Sequence, residues 1–264
     1  MVTKSYFAAS VHEFLSRPTD DILGRMSIRV GSEHSGNESQ QISAWRIQID
    51  LLKNALGKME CNGWGILLEL PLLRLGRRID TVILIGEQIA CIEFKIGSAT
   101  FSGADLDQAV DYALCLRDFH ANSHGRRIVP VLCSDQARVT SLPTTFDFTD
   151  DVAPCVKTNG DGLSSVLQTI KELSAGNQID WQAYDAATYS PTPDIVSAAR
   201  SLYAGHSVKE IGRADATAEA LERTANRLKE IADEARRDQK KVICFVTGEP
   251  GSGKTLLGLD LVFS

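Results

Sequence analysis

The chain has 264 residues, 43% hydrophobic and 23% charged, a composition that excludes a disordered or fibrous polypeptide and leaves room for one large or two ordinary domains. A formal net charge of −6 with a pI near 5.4 excludes a surface that is basic overall, so any contact with nucleic acid has to be local. Cys61, Cys91, Cys115, Cys133, Cys155 and Cys244 stand apart without a C-x-x-C pair, and no apolar run nears the ~20 residues of a membrane span. No disulfide framework, zinc site, signal peptide or membrane segment is therefore expected, and reduced thiols point to a cytoplasmic protein.

Residues 1–40 are mixed in pattern and close on a polar loop, Gly31 to Gln40. Trp45, Ile49, Leu52 and Leu56 recur at helical spacing and predict a helix over about Gln41 to Met59. A strand is expected over Trp64 to Leu73, then a hairpin of two more. Ser102-Gly103-Ala104-Asp105 has the form of a capping box and opens a helix to about His120. Ile128 to Cys133 reads as a buried strand, and Asp161-Gly162 introduces a helix over Leu163 to Leu173. Helix, three meandering strands, helix, strand, helix predicts an α/β sandwich on a mixed sheet. After Gly176 the pattern changes. Ser190-Pro191-Thr192-Pro193-Asp194 is a breaker cluster, and Thr192 or Asp194 is a candidate cap for a helix ending near Gly205. A long amphipathic helix, Asp215 to Asp238, carries Leu221, Leu228, Ile231 and Ala235 on one stripe and leads to a short strand, Val242 to Val246.

The hairpin carries the chemistry. Its strands meet at Gly86-Glu87, and glycine in first place suits a type II′ turn, where φ is positive. That turn pairs Ile85 with Gln88 and, in the same register, Asp80 with Glu93. Directly opposed residues share a face with Cβ atoms ~5 Å apart, so two carboxylates there repel unless a cation sits between them. Lys95, two residues past Glu93, falls on the same face. Ile79, Thr81, Ile83, Ile85, Ile92, Phe94 and Ile96 are expected on the other, as an apolar surface for the core. Two carboxylates offer hard oxygen ligands to Mg²⁺ or Mn²⁺, and such a metal polarises a phosphate and acidifies an attacking water. The lysine is placed to orient or help deprotonate that water and to stabilise developing charge.

A second motif, Gly248-Glu249-Pro250-Gly251-Ser252-Gly253-Lys254-Thr255, is a complete P-loop between a strand and a helix. Gly248, Gly251, Ser252 and Gly253 let backbone N–H groups wrap phosphates, Lys254 reaches the β- and γ-phosphates of ATP, and Thr255 binds Mg²⁺. Only Leu256 to Ser264 follow, without a Walker B aspartate, so the chain is expected to be the front part of a longer polypeptide. Alone it is not expected to hydrolyse ATP.

The D-x(12)-E-x-K pattern of Asp80, Glu93 and Lys95, flanked by helices in this order, resembles the PD-(D/E)XK nucleases. Gln108-Ala109-Val110-Asp111-Tyr112 is similar to the Q-x-x-x-Y helix motif of their RecB-like branch. The resemblance implies a restriction-endonuclease-like α/β sandwich and a metal held by Asp80 and Glu93. It also implies that Gln108 and Tyr112, four apart on one helix face, support substrate and lysine. Glu69 lies where some members add an acidic metal ligand; an outward-facing strand carboxylate is the alternative. Members often carry an acid on the first helix too, for which this chain offers Asp50 or Glu60. With Asp111 to Leu114, Phe119 to His124, Ser190 to Val196 and the P-loop, the chain resembles bacterial proteins that join such a nuclease to a Schlafen-type DNA/RNA helicase. That implies a nuclease domain over residues 1–178, a helical connector over 179–239 and the start of a helicase ATPase over 240–264. It further implies action on nucleic acid, DNA more than RNA, in phage defence or DNA repair.

Four arginines are candidate phosphate contacts: Arg77 and Arg78 at the mouth of the hairpin, where Arg78 also has Glu93 within reach, and Arg126 and Arg127 before the next strand. His120 and His124 have the i, i+4 spacing of metal ligands, but without a third ligand nearby they are expected at a solvated helix end. Two other readings stay open. One is a catalytically silent nuclease fold that binds nucleic acid or a partner for the motor; the other is an NTPase with a regulatory front domain.

Overall fold

The structure, a computed structural model, describes residues 4–30, 38–72, 77–148, 151–188 and 215–247, with 254, 257, 258 and 261. Strands β1 (Phe7–Ser10), β2 (Gly65–Leu72), β3 (Arg77–Ile85), β4 (Gln88–Lys95), β5 (Ile128–Ser134) and β6 (Val156–Thr158) form one sheet in that spatial order. Neighbours from β1 to β4 are antiparallel, while β4, β5 and β6 run parallel. Helices α1 (Val11–Ser16), α2 (Thr19–Val30), α3 (Glu38–Leu56), α4 (Gly103–Phe119), α5 (Leu163–Glu172), α6 (Trp181–Ala186) and α7 (Asp215–Arg237), with a 3₁₀ turn at Ala121–Ser123, accompany the sheet. The chain is thus α/β with a mixed six-stranded sheet.

The hairpin turn behaves as its residues dictate. Gly86 has φ +58° and Glu87 is not among the residues with positive φ, the signature of a type II′ turn. The register runs from Ile85–Gln88 to Thr81–Ile92, one pair short of Asp80 and Glu93. Parallel β5 needs a crossover from β4, and α4 supplies it. Ser102 caps α4: its Oγ accepts from the Asp105 N–H at 3.1 Å and donates to Asp105 Oδ2 at 2.6 Å. Because α4 starts just past the carboxyl end of β4, its first turns lie beside Glu93 and Lys95. That placement positions the site.

Both faces of the sheet are buried, whereas the hairpin was expected to bury one and leave the other open. Ile66, Leu68, Ile83, Ile85, Ala90 and Ile92 pack beneath α1, α2, α3 and α5, which present residues such as Phe14, Met26, Trp45, Ile49, Leu52 and Leu167. Leu67, Val82, Leu84, Ile89 and Cys91 pack beneath α4 and α6, against Tyr112, Ala113, Leu116 and Tyr184. A strand flanked by a parallel crossover is covered on both sides, so its run of Val, Ile and Leu is nearly continuous. Ile79 is also corrected. It belongs with Val82 and Leu84, not with Ile83. Between the Leu68–Thr81 and Leu70–Ile79 pairs lies Glu69, in the left-handed region at φ +54°, and there the in–out alternation changes phase.

Other elements lay outside the periodicity argument. α3 starts at Glu38, inside the stretch expected as loop. β1, β6 and α6 have four, three and six residues, too few to carry a period. Gly65 admits α6, since a Cβ there would collide with Trp181.

The chain divides into two compact units, Met1–Ser190 and Pro191–Ser264, and α6 packs on β1 and β2 of the first. In the second, α7 buries Ala225 and Leu228. The strand expected over Val242 to Val246 is not formed: residues 241–247 have no regular structure, and Ile243 and Phe245 are exposed. A strand exists by pairing, and among the described residues nothing pairs with this one. Thr192, Asp194, the Leu221 side chain and P-loop residues Gly248, Gly251, Ser252, Gly253 and Thr255 lie outside the described residues, while Lys254 is helical. Among the described residues no helix is long and apolar enough to cross a membrane.

Candidate functional site

Glu93 is the hub. Its side chain is buried, and Oε1 accepts from Lys95 Nζ at 3.1 Å and Gln108 Nε2 at 2.8 Å. Gln108 Oε1 in turn accepts from Lys95 Nζ at 3.0 Å, and its Nε2 also donates to the Tyr112 hydroxyl at 2.7 Å. Asp105, three residues before Gln108 and thus on the same face of α4, forms an ion pair with Lys95 at 3.2 Å. The sequence therefore assembles Glu93, Lys95, Gln108 and Tyr112 as expected. Asp105 adds a role that its capping signature concealed.

The second carboxylate stands beside the first. Asp80 Oδ2 accepts from the Phe94 N–H at 2.8 Å, tying β3 to β4 where their pairing ends. Burial pushes the Asp80 carboxyl well above its ordinary value, and the charges of Glu93 and Glu69 push the same way. Burial also raises Glu93, against the pull of Lys95. Two ionised carboxylates side by side would carry a like-charge cost on the order of 3 kcal/mol at ~5 Å and an effective dielectric of ~20. For Lys95, burial works to lower the pKa, but Glu93 and Asp105 together hold it above the ordinary lysine value. Lys95 accordingly presents positive charge to the cleft.

Glu69 lies in the site but its oxygens are taken. Oε1 accepts from the Trp45 indole N–H at 2.9 Å and Oε2 from Arg78 Nε at 2.8 Å. Arg78, expected to reach Glu93, instead bonds Glu69 and lies 4.9 Å over the Tyr6 ring. Asp50, bonded to Thr19 on the protein surface, and exposed Glu60 are both absent from the cleft wall. What α3 presents there is Gln41, Ala44, Trp45 and Gln48, spaced as one helical face. Sequence reasoning had only Trp45, as a core residue.

The groups line an open cleft of about 350 Å³ whose rim includes Arg77. Arg126 and Arg127 are elsewhere. The Ile89 N–H bonds the Arg127 carbonyl at the start of β4, while Lys95 is at its end, ~20 Å away along six residues of strand. Arg127 stacks on Phe148, and Arg126 bonds the Asn122 carbonyl. His120 is no solvated end. It caps α4, pairs Nδ1 with Ser123 Oγ at 2.9 Å and Nε2 with the Tyr184 carbonyl at 3.1 Å, and stacks on the Tyr184 ring. Burial lowers its pKa to about 4.

Among the described residues no group of three or more His, Cys, Asp or Glu converges on one point. Asp80 and Glu93 nonetheless suit a hard dication. Among the described residues Glu93 Oε2 is buried without a hydrogen-bond partner and Asp80 Oδ1 carries no hydrogen bond. A buried carboxylate oxygen left bare is costly, and a bound cation removes that cost. No family model, curated protein or solved structure matches the chain.

Proposed function

We propose that the first unit is a metal-dependent nuclease of the PD-(D/E)XK, RecB-like kind, built on a restriction-endonuclease-like sandwich and cleaving phosphodiester bonds of nucleic acid, DNA before RNA. The observation that carries this reading is Glu93, one oxygen saturated by Lys95 and Gln108 and the other buried and bare next to Asp80. Asp80 and Glu93 would hold Mg²⁺ or Mn²⁺; when bound, such an ion neutralises a phosphate and acidifies a water. Lys95, kept protonated by its two carboxylate neighbours, places positive charge where charge develops on a departing oxygen. Gln108 fixes Lys95 and Glu93 relative to each other, and Tyr112 fixes Gln108. Arg77 at the rim offers a phosphate contact that carries no sequence information. Glu69 joins α3 to Arg78 and leaves the metal to the other two acids.

The second unit reads as the lead-in of a P-loop helicase, where Gly248 to Thr255 would hold ATP in a longer, cytoplasmic polypeptide serving phage defence or DNA repair. The test of the nuclease is direct. Plasmid, linear and single-stranded DNA are incubated with the chain and Mg²⁺ or Mn²⁺, beside Glu93→Ala and Lys95→Ala. Cleavage that requires metal and disappears in both variants is expected; cleavage without metal, or surviving both changes, contradicts the mechanism. A second reading, a silent module that binds nucleic acid, draws on the lack of a third convergent acid among the described residues. It predicts retention of DNA with no cutting.

A further inference from the structure

The amide of Gln48 is the feature of the cleft that nothing above employs. The residue is 9% exposed, lines the cleft on the α3 side, and makes no hydrogen bond among the described residues. Across the cleft most donors are already engaged. Lys95 is bound to Glu93, Asp105 and Gln108, the Gln108 amide to Glu93 and Tyr112, and Arg78 to Glu69. Among the described residues three donor-bearing side chains lining the cleft make no hydrogen bond or ion pair: Gln48, Gln41 two turns before it on α3 and, at the rim, Arg77; of the two amides Gln48 is the more buried.

Gln48 is 9% exposed, and its amide meets the cleft and no protein partner among the described residues, so a ligand in the cleft is what can complete its hydrogen bonding. The ligand that suits the Nε2–H₂ of this position brings acceptors. It is also anionic, since Arg77 is the neighbouring free charge. A phosphodiester satisfies both demands. Resting on the nuclease reading, we propose that Gln48 is a substrate-binding residue whose Nε2–H₂ donates to a non-bridging oxygen of the phosphodiester seated over Asp80 and Glu93. Arg77 holds an adjacent phosphate of the same strand. An amide does this better than an acid, because a carboxylate at position 48 would repel the phosphate it has to hold.

The experiment compares the wild-type chain with Gln48→Met and Gln48→Glu. Readouts are anisotropy of a fluorescent oligonucleotide in Ca²⁺, cleavage kinetics in Mn²⁺, and Tm. Gln48→Met keeps the volume and removes the donor without breaking any hydrogen bond among the described residues, so its Tm stays about level. Its oligonucleotide Kd is expected to rise about tenfold, as for a lost hydrogen bond to a charged group, with KM following. Gln48→Glu weakens binding further. A purely structural role for Gln48 predicts the reverse, a lower Tm with Kd unchanged. Wild-type cleavage that Gln48→Met leaves untouched overturns this inference alone. A wild-type chain that neither binds nor cuts any oligonucleotide overturns the nuclease reading and this inference with it.

Discussion

The two helices that wall the cleft present the same side chain and use it in opposite ways. On α4, Gln108 is fully engaged: its carbonyl oxygen takes Lys95, and its amide nitrogen serves Glu93 and Tyr112. On α3, Gln48 lines the same cleft yet makes no hydrogen bond among the described residues. Groups that hold reactive side chains in place are paired before any substrate arrives, because an unpaired one lets them drift. Groups that meet a substrate have to be left open, at a cost in stability that binding recovers. One wall is preassembled and the other is waiting.

The largest effects belong to the preassembled wall. Glu93→Ala is expected to cut single-turnover cleavage about 10³-fold and Lys95→Ala about 10²- to 10³-fold, the range for removing a charge-stabilising group. A loss below tenfold in either would dissolve the contrast between the walls. Next comes the far end of α4, where His120 is held neutral. Its pKa of about 4 lies below the ~6.5 of an unfolded histidine, so the unfolded chain takes up a proton first as pH falls. Stability is whole above about pH 6.5 and drains away toward pH 4, by about 3 kcal/mol from this residue. Urea midpoints of wild type and His120→Gln over that interval measure it; parallel curves would show that His120 contributes nothing. Smallest is the internal bracing of Gln108. Gln108→Ala should lower kcat about tenfold with KM nearly level, and Tyr112→Phe about threefold, since Tyr112 touches the hub only through Gln108. Equal effects from the two would place Tyr112 against the substrate instead.

Much of the α4 wall was legible beforehand, and the reason is local. Gly86 sets the turn, the turn sets the register, and a strand period of two then places Glu93 and Lys95 together. Ser102 and Asp105 fix the start of α4, and a helical period brings Gln108 and Tyr112 round to the same spot. The α3 wall was not legible, because its distance from β3 and β4 depends on how the whole apolar layer packs. Trp45 looks like any core residue until Glu69 is found against its indole nitrogen. Glu69 itself turns the strand into left-handed backbone, which no pattern of apolar residues announces, and that turn is why Ile79 fell on the unexpected face. Val242 to Val246 failed for the converse reason. Its apolar run is a good strand sequence, but strand formation needs a neighbour.

The account stands on a dication shared by Asp80 and Glu93, and calorimetric titration of Mn²⁺ into the nucleotide-free chain tests it most directly. One Mn²⁺ bound per chain, and none detectable in Asp80→Asn or Glu93→Gln, is the expected result. Binding of equal strength in wild type and both variants, or none in wild type, would contradict it.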